Sequence, residues 1–160
     1  MILSGEQIKE AVGRKDIQIN PFDEAMLKSG SYTFTLGNKF RKLRQQKFID
    51  SRNKQTEFEE FEIGEEGYLL SPGEFIICHT AETLKLPKDV CCFLTMRGAK
   101  AQIGIDALHG EIFCEPGSEG GWGGKLMLET SNRGSYPIKL YSGIPIIKAI
   151  FYKTLNKPYY

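Results

Sequence analysis

The sequence predicts a mainly β fold: a distorted β-barrel or jelly-roll-like sandwich with one short N-terminal helix. Three observations predict it. Short apolar runs rich in β-branched and aromatic residues recur along the chain, and turn signals such as Pro72-Gly73-Glu74 separate them. Beyond the first helical segment almost everything reads as strand, at a spacing that suits an antiparallel barrel or sandwich rather than parallel βαβ units. The 160 residues, 41% hydrophobic and 26% charged, fit one domain, residues 1–160, with a single core.

Ser4, with Gln7 three residues on, forms a capping box, and Ile8, Ala11 and Val12 supply the apolar stripe of a helix that Gly13 ends. Ile17 and Ile19 follow. The segment Ser31-Tyr32-Thr33-Phe34-Thr35-Leu36-Gly37 alternates at period two, the pattern of a half-buried strand. Between Arg41 and Glu60 the chain is crowded with Lys, Arg, Gln, Asp and Glu; it reads as an exposed loop with room for an edge strand, its charge serving solvation. Pro72-Gly73-Glu74 is a turn that launches Phe75-Ile76-Ile77-Cys78, and Leu86-Pro87 precedes the run from Val90 to Leu94. Further strands are expected at Ile103 to Leu108, Ile112 to Cys114, Lys125 to Thr130, Ile138 to Tyr141 and Ile144 to Tyr152. There is no internal repeat and no low-complexity tract.

The 21 basic and 20 acidic residues nearly cancel, so no global field attracts a nucleic acid polymer or a membrane surface. An anionic ligand must be held by local groups. No apolar run approaches a membrane span, and Met1-Ile2-Leu3-Ser4 lacks the basic and apolar regions of a signal peptide, so a cytoplasmic location is expected. Cys78, Cys91, Cys92 and Cys114 are read as reduced and buried: adjacent Cys91 and Cys92 would point to opposite faces of a strand, unlike paired ligands across a zinc knuckle. His109-Gly110-Glu111 matches the first half of the zinc deaminase signature, but the Pro-Cys-x-x-Cys that completes it is absent. No protein-bound catalytic metal is therefore expected.

A glycine-rich turn, Gly121-Trp122-Gly123-Gly124, runs into Lys125 to Asn132, which carries a carboxylate among apolar neighbours. Alternation puts Lys125, Met127 and Glu129 on one face, and Leu126, Leu128 and Thr130 on the other. Glu129 is either a solvated residue on the open face of an antiparallel strand or a dehydrated acid. In the second case desolvation favours its protonated form, which suits a group that takes a proton from water and gives it to a leaving group. The pattern alone leaves both readings open.

Several stretches, taken together in order, carry a family resemblance over most of the chain. They are Met1-Ile2-Leu3-Ser4 with Ile8-Lys9, Ile19-Asn20-Pro21-Phe22, and Leu36-Gly37-Asn38-Lys39-Phe40-Arg41. Later come Tyr68-Leu69-Leu70 with Pro72-Gly73-Glu74-Phe75, Leu86-Pro87 before Arg97, Gly124-Lys125-Leu126 through Leu128-Glu129 and Asn132, and Pro137-Ile138-Lys139-Leu140-Tyr141 with Gly143. In these the chain resembles the dCTP deaminase branch of the trimeric dUTPase/dCTP deaminase superfamily. The resemblance implies a homotrimer of distorted β-barrels of the dUTPase fold, with sites for a pyrimidine deoxynucleotide between subunits. It also implies zinc-free deamination in which the residue at Glu129 shuttles the proton, and Mg²⁺ bridging the phosphates where the nucleotide is a triphosphate.

Carried over position by position, the substrate-binding candidates are Arg97, Gly98, Ala99, Lys100, Gln102, Glu115, Trp122, Met127 and Leu128. Departures from the family pattern cluster here. Its phosphate-gripping motif reads Arg-Ser-Ser with a second Arg three positions on, against Arg97-Gly98-Ala99 and Gln102 in this chain, with Lys100 displaced from the missing arginine. Small Gly98 and Ala99 still offer backbone N–H groups. Thr33 and Thr35 replace an Asp and an Arg, Glu115 replaces an Asp, and Lys148 replaces a Gln. Trp122 follows an apparent insertion, Ser118-Glu119-Gly120, and is a candidate to stack on a base or sugar. Pro158-Tyr159-Tyr160 stands where the family continues into a closing tail, so the chain is read as a divergent member lacking that tail. The expected function is hydrolytic, metal-independent deamination of a cytosine deoxynucleotide, dCTP to dUTP or a related nucleotide. A dUTPase-like nucleotide diphosphatase and a non-catalytic trimeric nucleotide- or protein-binding module are the alternatives.

Overall fold

Ser4 Oγ accepts from the Gln7 N–H at 3.3 Å while Gln7 Oε1 accepts from the Ser4 N–H at 2.9 Å, so a complete capping box starts helix α1, Gly5–Gly13. A computed structural model describes this helix and the rest of residues 1–52 and 56–155. Ile8 and Ala11 are the buried face of α1. Short β1 (Gln18–Asn20), a 3₁₀ turn (Glu24–Met26) and β2 (Leu27–Lys28) lead to β3 (Ser31–Thr35). The hairpin β4 (Lys39–Leu43) and β5 (Phe58–Glu62) follows, then β6 (Tyr68–Leu70), β7 (Phe75–Lys85) and β8 (Val90–Met96). After helical turn α2 (Gly98–Ala101) come β9 (Ile105–Asp106), β10 (Phe113–Cys114), β11 (Lys125–Asn132), β12 (Ile138–Leu140) and β13 (Pro145–Lys153).

Two principal antiparallel sheets result. One runs β5-β4-β7-β11-β9 with β1 also on β7, the other β10-β8-β13-β3-β2, and β12 pairs with β6 in a small third sheet. Among the described residues no sheet closes on itself as a barrel. The mainly β prediction and its N-terminal helix hold, as do the strand positions after Pro72-Gly73-Glu74 and Leu86-Pro87. The charged stretch from Arg41 is a mostly exposed loop over residues 44–52 and 56–57, flanked by β4 and by β5, which is an edge strand; the two pair with Arg41 against Glu60 at 3.0 Å and Lys39 against Glu62 at 3.7 Å. Residues 53–55 of that stretch lie outside the described residues. Two expectations need revision. The runs Ile103 to Leu108 and Ile112 to Cys114 contribute only the two-residue strands β9 and β10, because the chain between them leaves the sheet to cross β11.

The core lies between the sheets. Tyr32, Phe34, Phe40, Phe151, Ile76 and Leu128 are fully buried, each such side chain contributing about 1.5–3 kcal/mol by leaving water. Register is fixed by this burial: on β13, Ile147 sits between Phe34 of β3 and Met96 of β8. The four cysteines are free; Cys78, Cys91 and Cys92 are buried, and Cys114 is half-buried opposite Cys92. No helix among the described residues is long and apolar enough to cross a membrane.

Glu74, at the turn into β7, joins three segments. Its carboxylate accepts from the Tyr68 hydroxyl, from the Ser71 N–H at 2.9 Å and from Lys42 Nζ at 2.9 Å. Burial alone would raise the Glu74 pKa, but these donors outweigh it and hold the value below the ordinary 4.5. Because the folded-state value is depressed, the stabilisation is present above about pH 4.5 and is lost as pH falls through the folded value. Glu74→Gln is accordingly expected to flatten the fall in Tm below about pH 4.5, measured by thermal unfolding across an acid pH series.

Candidate active site

Strand β11 follows a glycine turn in which Gly124 takes φ +85°, a conformation that L side chains rarely adopt. Along the strand Leu126, Leu128 and Thr130 are buried while Lys125, Met127 and Glu129 are half-exposed, as alternation requires. The strand pairs with β7, Glu129 opposite Ile77 and Met127 opposite His79. Glu129 lines a cavity of about 200 Å³ between the sheets. Leu84, Leu94, Phe113, Leu126 and Met127 give it apolar walls, and Glu111, Glu115, Glu119 and Glu129 give it carboxylates; among the described residues no Lys or Arg lines it. Among the described residues the Glu129 carboxylate has no hydrogen-bond or ion-pair partner.

The structure brings together Glu129, Met127 and Glu115, but not the other sequence candidates. Leu128 is fully buried in the core on the opposite face of β11. Trp122 is engaged elsewhere: the Arg41 guanidinium carbon lies 3.8 Å from its ring centroid, and His79 meets it edge-on at 4.9 Å. Arg97 is the N-cap of α2, with Gly98, Ala99, Lys100 and Gln102 continuing that turn, and none of the five lines the Glu129 cavity. The Arg97 guanidinium has no hydrogen-bond or ion-pair partner among the described residues.

Two buried polar side chains were not among the sequence candidates for the site. Glu82 is a buried carboxylate on β7, accepting from the Thr35 N–H at 3.0 Å and the Thr35 hydroxyl at 2.7 Å. Its phase with buried Ile76, Cys78, Thr80 and Leu84 was the available signal. His79 is also buried. Its Nδ1 donates to the Thr80 carbonyl at 2.6 Å and its Nε2 accepts from the Lys39 N–H at 3.2 Å; burial lowers its pKa and keeps the ring neutral.

Beside the cavity, His109 Nε2 lies 2.5 Å from Ser131 Oγ, a spacing that suggests a nucleophile and its base. The other ring nitrogen decides against this. Arg133 Nη2 donates to His109 Nδ1 at 3.0 Å, so the ring proton sits on Nε2 and is donated to Ser131. A histidine in that tautomer does not take the serine proton. Both ring nitrogens of His109 are occupied, and no cluster of three or more His, Cys, Asp or Glu among the described residues is arranged to hold a metal ion.

Fold and site thus define a β protein of two principal sheets whose unengaged, half-buried acid faces a partly apolar cavity. Residues 2–154 match the dCTP deaminase-like family, and the chain belongs to that family. It is 34% identical over 171 residues to a dCTP deaminase, dUMP-forming, of Dictyoglomus turgidum, covering 100% of this chain and 86% of the relative. It is 31% identical over 159 residues to another of that name from Hydrogenobaculum sp., covering 96% and 82% respectively. The crystal structure of 2′-deoxycytidine 5′-triphosphate deaminase from Agrobacterium tumefaciens shares the fold, with a TM-score of 0.72 at 20% identity. That match covers 94% of this chain but spans about half, 47%, of the crystal structure's chain.

Proposed function

We propose that the protein deaminates a cytosine deoxynucleotide hydrolytically, without a protein-held metal, using Glu129 as the proton shuttle. The observation that carries this reading is the Glu129 carboxylate: half-buried, lining a cavity and committed to no partner. In the reaction, Glu129 takes a proton from water as its oxygen attacks C4 of cytosine. It then delivers that proton to the amino group as the C4–N bond breaks, while the proton left on the added hydroxyl passes to N3, so that water and cytosine yield uracil and ammonia. Mg²⁺ enters as part of the substrate where the nucleotide is a triphosphate.

The site is proposed to be shared between protomers of a homotrimer. A cavity of about 200 Å³ is below the roughly 300–1,000 Å³ usual for small-molecule sites. Among the described residues no cationic side chain lines it, whereas Arg97 and Lys100 stand away from it on α2. A neighbouring copy presenting α2 would supply the phosphate-binding charge.

The named relatives form dUMP from dCTP, which requires hydrolysis between the α- and β-phosphates as well as deamination. A panel of cytosine and uracil deoxynucleotides should therefore be assayed for ammonia and pyrophosphate together. Ammonia from a cytosine nucleotide is the expected result, and pyrophosphate alongside it would identify dUMP as the product. Pyrophosphate from dUTP with no ammonia from dCTP would favour a diphosphatase. Neither product from any nucleotide would favour a non-catalytic binding module.

A further inference from the structure

The His109-Gly110 segment, set aside as half of a metal signature, has another use. The loop between β9 and β10 lies over the Glu129 face of β11 and is pinned there through Asp106 and His109. Asp106 Oδ1 accepts from the Leu108 N–H at 3.1 Å, and its other oxygen pairs with Arg133 Nε at 2.9 Å. Arg133 holds His109 Nδ1, and His109 Nε2 holds Ser131, two residues beyond Glu129 on the same strand. The His109 N–H reaches the Glu129 carbonyl at 3.4 Å.

The next residue is glycine, and its backbone lies against the Glu129 carboxylate. A Cβ at position 110 would stand 2.3 Å from Oε2, 2.7 Å from Cδ and 3.1 Å from Oε1. Gly110 is exposed, and its φ lies outside the region that favours glycine. Its backbone conformation is open to any residue. What excludes a side chain there is the space held by the acid.

We infer that Gly110 is a positioning residue for the reaction: by lacking a side chain it leaves the Glu129 carboxylate in its place beside the cavity, and the Asp106–Arg133–His109 clasp fixes the glycine at that distance. The inference rests on the assignment of Glu129 as proton shuttle. A methyl group at position 110 displaces only the end of a flexible side chain, so folding loses little. Catalysis depends far more steeply on position, since a misplacement of about 1 Å can cost about 10²-fold in rate.

The test compares Gly110→Ala, Glu129→Gln and Gly110→Ala in a Glu129→Asp background, with kinetics, thermal unfolding and a crystal structure of Gly110→Ala. Gly110→Ala is expected to lower kcat about 10²-fold, with KM within about twofold and Tm within about 2 °C of the parent. Its Glu129 oxygens should move by about 1 Å or more. The shorter aspartate withdraws from position 110, so Gly110→Ala should cost that background little further activity. Wild-type kcat in Gly110→Ala, or an unmoved carboxylate in its crystal structure, would overturn the inference. If Glu129→Gln is inactive while Gly110→Ala is fully active, this inference falls alone; if Glu129→Gln is fully active, the shuttle assignment falls and takes it along.

Discussion

Glu129→Gln is expected to abolish ammonia release from a cytosine deoxynucleotide, a loss of about 10²–10⁴-fold, with fold and nucleotide binding intact. The amide keeps the size of the acid and cannot accept and return a proton. Since no cation or buried donor of the described residues is committed to the carboxylate, removing its charge strands no partner, and stability should stay within about 0.5 kcal/mol. Ammonia release gives the first readout, and a nucleotide-dependent rise in Tm gives the second, because a ligand selective for the folded state stabilises it by mass action. A variant that still binds and no longer turns over isolates the proton-transfer step. Wild-type turnover by Glu129→Gln would remove the chemistry assigned to it.

The second large effect is a recovery. Arg97→Ala alone should weaken nucleotide binding by about 10–10²-fold through loss of charge-assisted hydrogen bonds. Co-expressing Arg97→Ala with Glu129→Gln should restore activity, since Arg97 does not line the cavity that Glu129 faces and is proposed to arrive from a neighbour. With random mixing in a cyclic trimer, one site in four receives an intact Glu129 and an intact Arg97, so about a quarter of wild-type activity should return. Recovery is measured on purified mixed trimers against each parent. If both groups serve a site within one chain, mixing restores nothing.

What was legible in the sequence was local. The Ser4–Gln7 box and the alternation of β11 were readable because the stabilising groups lie within a few residues of each other. β4 was not, because its one fully buried side chain, Phe40, is set among Lys39, Arg41 and Lys42 and meets its partners Phe61 and Tyr68 only across strands. Glu129 and Met127 were legible on one face by their shared phase on a strand, but the cavity beside that face was not. Trp122 was open to stacking on a ligand until Arg41 and His79, distant along the chain, were seen to occupy it. Gly110 was visible only as part of a motif, since its relation to Glu129 depends on one loop crossing another strand. Pro158-Tyr159-Tyr160, where a closing tail was expected to be missing, lies outside the described residues.

The proposed trimer gives a consequence to the cavity rim, which among the described residues carries four glutamates and no lysine or arginine. On that proposal an isolated subunit would offer a polyanion mostly repulsion, and affinity would come from the positive charge that docking brings. Nucleotide and neighbour would then share one equilibrium: substrate is expected to draw subunits together, and dilution to release both.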